Sequence, residues 1–431
     1  MSEYNPPRGM RDLVESEAEL YEYLFSEFKN TARKHGFEPI ITPTVEYFSL
    51  FEAKSGEEIK RSMYVFEDKS KRLLALRPEV TASVIRAYLR SMRGRAKPIR
   101  LYYVAQCFRY EEPQYARYRE FWQGGLEIIG DQDVNADVLV AFTASEFLDK
   151  IQVKHVYEVG NVAIYRAFMK KLGVNEDAQD YILHLIDKDK IDDALAKLSE
   201  ITGDKVELFR ELIYTGDLSK VEEIINDYRD LLGEQYETVV LEQERLKNFI
   251  SALRELGFEV KYQPKLVRGL AYYSGLIFEY KLAGAEEAPS IGGGGRYDGL
   301  TAVYGGPYEY STGLALGIDR IALSLMNKYK PRLTKKLAVI LIGNTQISLG
   351  YSILRRILSG LDMELQAFVY KPRSLARGLE YCNKVNVDFV IIVGEKEIRE
   401  NMVIVKNMNT GDQVKIKTDE LLNQLSTMLL S

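Results

Sequence analysis

Arg100–Arg109 (RLYYVAQCFR) and Arg119–Gly130 (REFWQGGLEIIG) are two apolar, aromatic-rich runs on either side of Tyr110–Tyr118 (YEEPQYARY), a polar segment holding Pro113 and Arg117. Aromatic and β-branched runs around a polar turn predict a long antiparallel hairpin. A strand's period of two then puts Gln123, Gly125 and Glu127 on one face, an amide and a carboxylate beside a residue without a side chain. On the partner strand the same period aligns Ala105, Cys107 and Arg109, so small side chains leave room behind a guanidinium. That face suits a polar ligand; the spacings equally suit an ordinary sheet face with cross-strand charge pairs.

Outward from the hairpin, Glu15–Lys34 carries Leu20, Leu24 and Phe28 at helical spacing, with Gly36 where a helix would end, which predicts one amphipathic helix. Glu38–Val45 reads as a strand, and Pro43 within it argues against a central sheet position. Val174–Phe249 is rich in Lys, Glu, Asp and Leu at helical periodicity and predicts a helical insertion. Strand patterns return at Val260–Tyr262 and Tyr272–Tyr280. Asn327–Lys336 (NKYKPRLTKK) has the composition of a linker. Beyond it, Leu337–Ile342 and Phe389–Val393 are short apolar runs separated by helical segments near Ser348–Leu361 and Ser374–Lys384, the alternation of a small α/β domain. The expected organisation is a body over residues 1–328 with a helical insertion at about 174–249, a linker over 329–336 and a terminal domain over 337–431.

With 431 residues, 46% of them hydrophobic and 28% charged, the chain can bury a large core and should divide into two or three domains. No window approaches the roughly 18 uninterrupted apolar residues of a membrane span, and Met1–Arg11 lacks the apolar core of a signal peptide. A cytoplasmic location is expected. Cys107 and Cys382 are the two cysteines, and His35, His155 and His184 are scattered, so neither a disulfide framework nor a structural zinc site is expected. The net charge of −5 requires that any nucleic-acid partner be held by local patches. From Arg332 onward there are 14 Lys/Arg against 10 Asp/Glu, so the terminal domain is modestly basic on an acidic body.

Three further stretches are candidates for chemistry. Leu266–Gly275 (LVRGLAYYSG) leads from Arg268 to adjacent tyrosines, which a strand would point to opposite faces, so that at most one reaches a given pocket. Ser290–Leu300 (SIGGGGRYDGL) has four successive glycines, which either let a ligand or another backbone approach closely or form a turn or bulge. It lacks the GK[ST] of a P-loop and the G-x-G-x-x-G of a dinucleotide site. In Thr312–Leu325 (TGLALGIDRIALSL) a strand-like start runs into a helix with Arg320 in its first turn, where a cation opposes the helix dipole. A bound anion there, or an ion pair with Asp319 or another acid, would account for it.

Taken together, these segments resemble the histidine–tRNA ligase family of class II aminoacyl-tRNA synthetases. Pro6–Asp12 (PPRGMRD) looks like the family's N-terminal signature, Gly36–Glu46 (GFEPIITPTVE) like motif 1, Cys107–Gly130 like motif 2 and Gly313–Arg320 like motif 3. Leu266–Gly275 and Ser290–Leu300 are similar to its two histidine-specific signatures. Two departures stand out: Ala271 where the family usually has aspartate, and Trp122 where motif 2 usually has histidine.

The resemblance implies an α/β (α+β) fold: an antiparallel-sheet catalytic core with a helical insertion, followed by an α/β anticodon-binding domain. It implies activation of L-histidine by ATP to histidyl-adenylate and transfer to the 3′ end of tRNA(His), with Mg²⁺ as cofactor. Arg109 and Arg268 would be the catalytic cations, and Arg109, Arg117 and Arg320 would bind ATP. Glu79, Thr81, Gln123, Glu127, Arg268, Tyr272, Tyr273 and Tyr297 would hold histidine. Gln114 in the motif 2 turn would meet tRNA, as would the basic terminal domain, where Arg373 and Arg377 are candidates. Motif 1 implies a homodimer. Two alternatives share the core: the histidine-binding regulatory subunit of ATP phosphoribosyltransferase, and a class II synthetase for another amino acid such as threonine or proline.

Overall fold

A computed structural model describes residues 4–53, 61–112, 116–267, 272–285, 289–326, 328–329 and 334–430. The chain divides into two compact units, Met1–Tyr329 and Lys330–Ser431.

The first unit is organised by the hairpin. Its strands fall in the order β1 Glu38–Pro39, β2 Val45–Tyr47, β3 Val65–Glu67, β4 Leu73–Leu76, β5 Ile99–Phe108 and β6 Glu120–Ile129. They continue with β7 His155–Asn161, β8 Val260–Tyr262, β9 Leu276–Leu282, β10 Gly292–Arg296 and β11 Ser311–Gly317. Ten consecutive residue pairs join β5 to β6, from Ile99–Ile129 to Phe108–Glu120. The eight-stranded sheet runs β1-β5-β6-β11-β10-β9-β7-β8, while β2, β4 and β3 form a separate small sheet. Glu38–Val45, expected as one strand, is therefore split: Glu38 and Pro39 pair at the edge of the large sheet, and Val45 begins a strand of the small one. Pro43, which cannot donate to a ladder, lies between them.

Alternation along β6 sorts its side chains. Leu126 and Ile128 face a core built with the helices Glu15–Lys34, Val134–Lys150 and Tyr236–Glu255. Ile129 packs on the opposite side with Val84, Ile85 and Tyr88 of the helix Thr81–Ser91. The first helix ends as its sequence predicts: Gly36 takes φ +79°, and Phe37 N–H closes back on Ala32 O at 3.1 Å. The departure at Trp122 belongs to the first face, where its ring lies 4.6 Å from that of Phe25.

The structure decides between the two readings of the glycine run and corrects two other expectations. The four glycines form neither a turn nor a bulge; Gly292–Arg296 is a fully buried strand inside the sheet, paired on both sides. A Cβ on Gly294 would run into the backbone of Gly313 and Leu314 on β11, so the close approach of another chain segment is what the glycines permit. The tyrosine pair is likewise not in a strand, because β9 begins only at Leu276. Helical structure is also wider than Val174–Phe249: it starts at Val162, packs around its own apolar core, and ends at Glu255 in a helix that returns to the core of the large sheet.

In the second unit β12 Lys335–Leu341, β13 Leu365–Tyr370, β14 Phe389–Val393, β15 Met402–Asn407 and β16 Gln413–Lys417 form one sheet in the order β13-β12-β14-β15-β16. The β13-β12-β14 pairs are parallel, and β14-β15-β16 is an antiparallel meander. Helices Ile347–Gly360 and Leu421–Leu430 cover one face and Leu375–Lys384 the other. Sequence patterns found β12 and β14 because both are buried on two sides; β13 and β16 carry more exposed positions and were not anticipated.

Candidate active site

Glu79 lies just ahead of the helix Thr81–Ser91, and its carboxylate accepts from the N–H groups of Thr81 at 2.7 Å and Ala82 at 3.0 Å. The helix end thereby fixes a fully buried acid, whose pKa burial raises against the lowering effect of those N–H groups. Thr81 Oγ1 in turn donates to Oε1 of Glu127 at 2.8 Å. Tyr103 reaches the same oxygen at 3.4 Å, and the Tyr297 phenol donates to Oε2. Glu127 is wholly buried, and desolvation pushes its pKa up to about 8, outweighing these three hydroxyl donors.

An open cleft of about 980 Å³, including its mouth, lies against this cluster. It is lined by Glu79, Thr81, Gln123, Tyr272, Tyr273 and Tyr297 together with Arg109, Arg117 and Arg320. Gly292, Gly293 and Gly313 supply a floor without side chains. Both tyrosines of the pair line the cleft, 5.0 Å apart between ring centroids, which corrects the expectation that one at most would reach it. Glu127 is not a lining residue; it sits directly behind Thr81, Tyr297 and Gly313, which are. Gln123 faces its cross-strand neighbourhood on β5, where the Cys107 thiol donates to Oε1 at 3.2 Å. Burial pushes that thiol up to about 12, so it is a hydrogen-bond donor rather than a nucleophile.

The three arginines bring positive charge into one space. Arg109 Nε donates to Pro78 O at 3.0 Å, with its guanidinium 5.3 Å from the Phe121 ring centroid. Arg320 donates to Ala116 O at 3.3 Å and Ser290 O at 2.5 Å, both backbone carbonyls. Burial, followed by the charges of Arg117 and Arg109, lowers the pKa of Arg320. Guanidinium groups that repel one another across a cleft form an anion site, and their planar forks suit phosphate and carboxylate oxygens. Of the alternatives for Arg320, a pair with Asp319 or another acid, the Asp319 pair does not form: Asp319 accepts instead from Arg11 at 2.9 Å, Tyr21 at 2.9 Å and the Trp122 N–H at 2.6 Å, while the acids whose charges act on Arg320 are Glu111 and Glu279.

Arg268, Ala271 and Gln114 lie outside the described residues. Arg373 and Arg377 are exposed on the second unit. Among the described residues no three His, Cys, Asp or Glu side chains are grouped to hold a metal, and Cys107 and Cys382 are separate buried thiols. Tyr103 and Arg11 were missed from sequence. Tyr103 was accessible to it, since the period that selected Cys107 and Ala105 continues to Tyr103, opposite Gly125; Arg11 had no periodic signal linking it to Asp319.

A family profile described as histidyl-tRNA synthetase matches residues 9–321, and one described as anticodon binding domain matches residues 336–428. The histidine–tRNA ligase of Sulfolobus acidocaldarius is 38% identical over 99% of this chain and all of its own length. That of Saccharolobus solfataricus is 37% identical over the full length of both. Among solved structures, histidyl-tRNA synthetase from Nostoc superposes with a TM-score of 0.74 at 21% identity, covering 99% of this chain and 100% of that one, and bears out the fold. Motifs, sheet and full-length similarity agree, and the chain belongs to the histidyl-tRNA synthetase family.

Proposed function

We propose that this chain is a histidine–tRNA ligase that activates L-histidine with ATP and esterifies tRNA(His). The observation that carries the reading is a single cleft combining three arginines with the Glu79, Thr81, Gln123 and paired-tyrosine wall. In the first step the histidine carboxylate oxygen forms a bond to the α-phosphorus, the bond to the bridging oxygen breaks, and pyrophosphate leaves. In the second, a terminal ribose hydroxyl of tRNA attacks the carbonyl carbon, and AMP leaves as the hydroxyl loses its proton.

Such chemistry depends mainly on positioning and on neutralising charge at phosphate oxygens. Arg109 and Arg268 are assigned to the α-phosphate and the substrate carboxylate, Arg320 to the γ-phosphate, and Arg117 to the triphosphate from the motif 2 turn. Glu79, Thr81 and Gln123 would hold the amino-acid backbone. Tyr272, Tyr273 and Tyr297 would surround the imidazole, with Glu127 directly behind Thr81 and Tyr297 completing the polar wall, where a substrate without ring nitrogens leaves buried polar groups unsatisfied. The donor set fits Mg²⁺ only as a nucleotide-borne ion: with no three-carboxylate group among the described residues, phosphate oxygens and water would supply most ligands, and Glu111 is the cleft carboxylate available beside them. When bound, the ion would neutralise phosphate charge.

A cytoplasmic homodimer is part of the proposal. No described helix is long and apolar enough to cross a membrane. The motif 1 segment leaves Ile41 exposed, and Val45, Tyr47 and Phe66 are exposed together on one face of the small sheet, a face suited to a second copy. Gln114 and the second unit, including Arg373 and Arg377, are proposed to meet tRNA.

The deciding experiment is ATP–pyrophosphate exchange with each amino acid in turn. Exchange with histidine alone is expected. No exchange with any amino acid would favour the regulatory subunit, and exchange with threonine or proline would favour another synthetase.

A further inference from the structure

The N-terminal signature segment does more than enter the first helix. Met10 N–H closes a turn on Pro7 O at 2.9 Å, and Gly9 takes φ +84°, which directs its carbonyl to the N–H of Arg119 at 2.8 Å. Arg8 meets Glu112 at 3.1 Å, an exposed pair of little energetic weight. The guanidinium of Arg11 stands 3.6 Å over the ring of Tyr118 and donates to Oδ1 of Asp319 at 2.9 Å. Both described flanks of the motif 2 turn, Glu112 on one side and Tyr118–Arg119 on the other, thus touch residues 8–11.

Asp319 makes Arg11 consequential. It immediately precedes Arg320 in the first turn of the helix Ile318–Leu325 and is almost wholly buried. Its two oxygens collect Arg11, Tyr21 and the backbone N–H of Trp122, so three elements converge on one carboxylate. A buried carboxylate stripped of its cation relaxes toward water or takes up a proton, and either response loosens the helix turn that aims Arg320. The same guanidinium also presses on Tyr118, next to Arg117. One cation therefore contacts the neighbours in sequence of two phosphate-directed arginines, Arg117 and Arg320.

We propose that Arg11 is a positioning residue for ATP, bridging the motif 3 acid Asp319 and the motif 2 aromatic Tyr118 so that Arg320 and Arg117 face the cleft together. The proposal rests on the synthetase reading for its substrate, while its geometry stands without it. Arg11 is distinct from the histidine wall, since Glu79, Thr81 and Tyr297 are held by other partners.

The test compares wild type, Arg11→Leu and Arg11→Lys in histidine-dependent exchange, together with the rate of tryptic cleavage after the exposed Arg117. Arg11→Leu should raise the KM for ATP at least tenfold while the KM for histidine moves less than threefold. Arg11→Lys, which keeps the charge but lacks the planar face, should fall between. Cleavage after Arg117 should accelerate severalfold in Arg11→Leu. A general packing role would instead move both KM values together or lower only the melting temperature, and either result overturns the proposal. Should Arg11→Leu fail to fold, an Arg11→Lys variant with wild-type KM for ATP and wild-type cleavage would overturn it equally. If the wild type shows no histidine-dependent exchange, the synthetase reading fails, and unchanged cleavage in the variants then separately refutes the bridge.

Discussion

Gly313 on β11 stands directly opposite Glu127 on β6, and a Cβ at Gly313 would overlap Oε2 of that buried carboxylate. The glycine that looks like the start of motif 3 is therefore a requirement of the motif 2 acid beside it.

Gly313→Ala should force Glu127 away from Tyr297 or β11 away from β6. Overpacking of this kind costs about 1–3 kcal/mol. Because the displaced acid lies behind the histidine wall, the KM for histidine should rise tenfold or more, with the KM for ATP changing less than threefold. Steady-state exchange kinetics with each substrate varied would check this, and an alanine variant with normal histidine KM would contradict it.

The elevated pKa of Glu127 gives a pH signature. Between the ordinary carboxyl value of 4.5 and about 8 the folded chain holds a proton that the unfolded chain has released, so this group's stabilising contribution is full below the lower value and disappears as pH rises through the upper one. Burial also raises the pKa of Asp298, to about 6, and raises those of Glu79, Asp137 and Asp319, so the share of Glu127 is read as the difference between wild type and a Glu127 variant over the window from pH 7 to 9. Across it Glu127→Gln should lose less melting temperature than wild type, by on the order of 2 °C. Parallel melting curves for the two proteins would refute the assignment.

Arg320→Ala should lower kcat/KM for ATP by about 10²–10³-fold, the scale on which loss of one fixed charge-stabilising donor acts in phosphoryl and acyl transfer. Arg320→Lys should recover only part of this, because a point charge cannot reproduce two directional donors. Exchange kinetics at varied ATP measure both; full rescue by lysine would mean that charge alone is used.

Much of this site is legible in sequence where periodicity acts. The ten-pair hairpin, the inward set Gln123, Gly125 and Glu127, and the β11-to-helix transition before Arg320 all follow from alternation of two giving way to helical spacing. Tyr272 and Tyr273 escape that logic because they precede the strand, where no period dictates side-chain direction. The glycine run stays ambiguous in sequence for a related reason: glycine carries no facing information, and only the close backbones of β11 and β9 decide between a strand and a turn or bulge. Arg11 and Asp319 are 308 residues apart, and no local rule pairs them.

Ile41→Asp tests the proposed dimer and its link to the cleft. Ile41 is 97% exposed in a single chain, close in sequence to a small sheet that exposes Val45, Tyr47 and Phe66 on one face, and a second copy covering this region would bury them. A carboxylate buried at this position by the partner would be desolvated without a counter-charge, so the association constant should fall by at least a hundredfold. Sedimentation velocity should report a dimer for wild type and a monomer for the variant. A second consequence follows from packing. Ala75 of the small sheet shares an apolar cluster with Ala82, the residue after Thr81 at the helix end that holds Glu79. Loss of the partner should therefore loosen that helix end and raise the KM for histidine. A monomeric variant with unchanged histidine KM would break this mechanical link while leaving the interface itself in place, whereas a wild-type chain that sediments as a monomer would remove both.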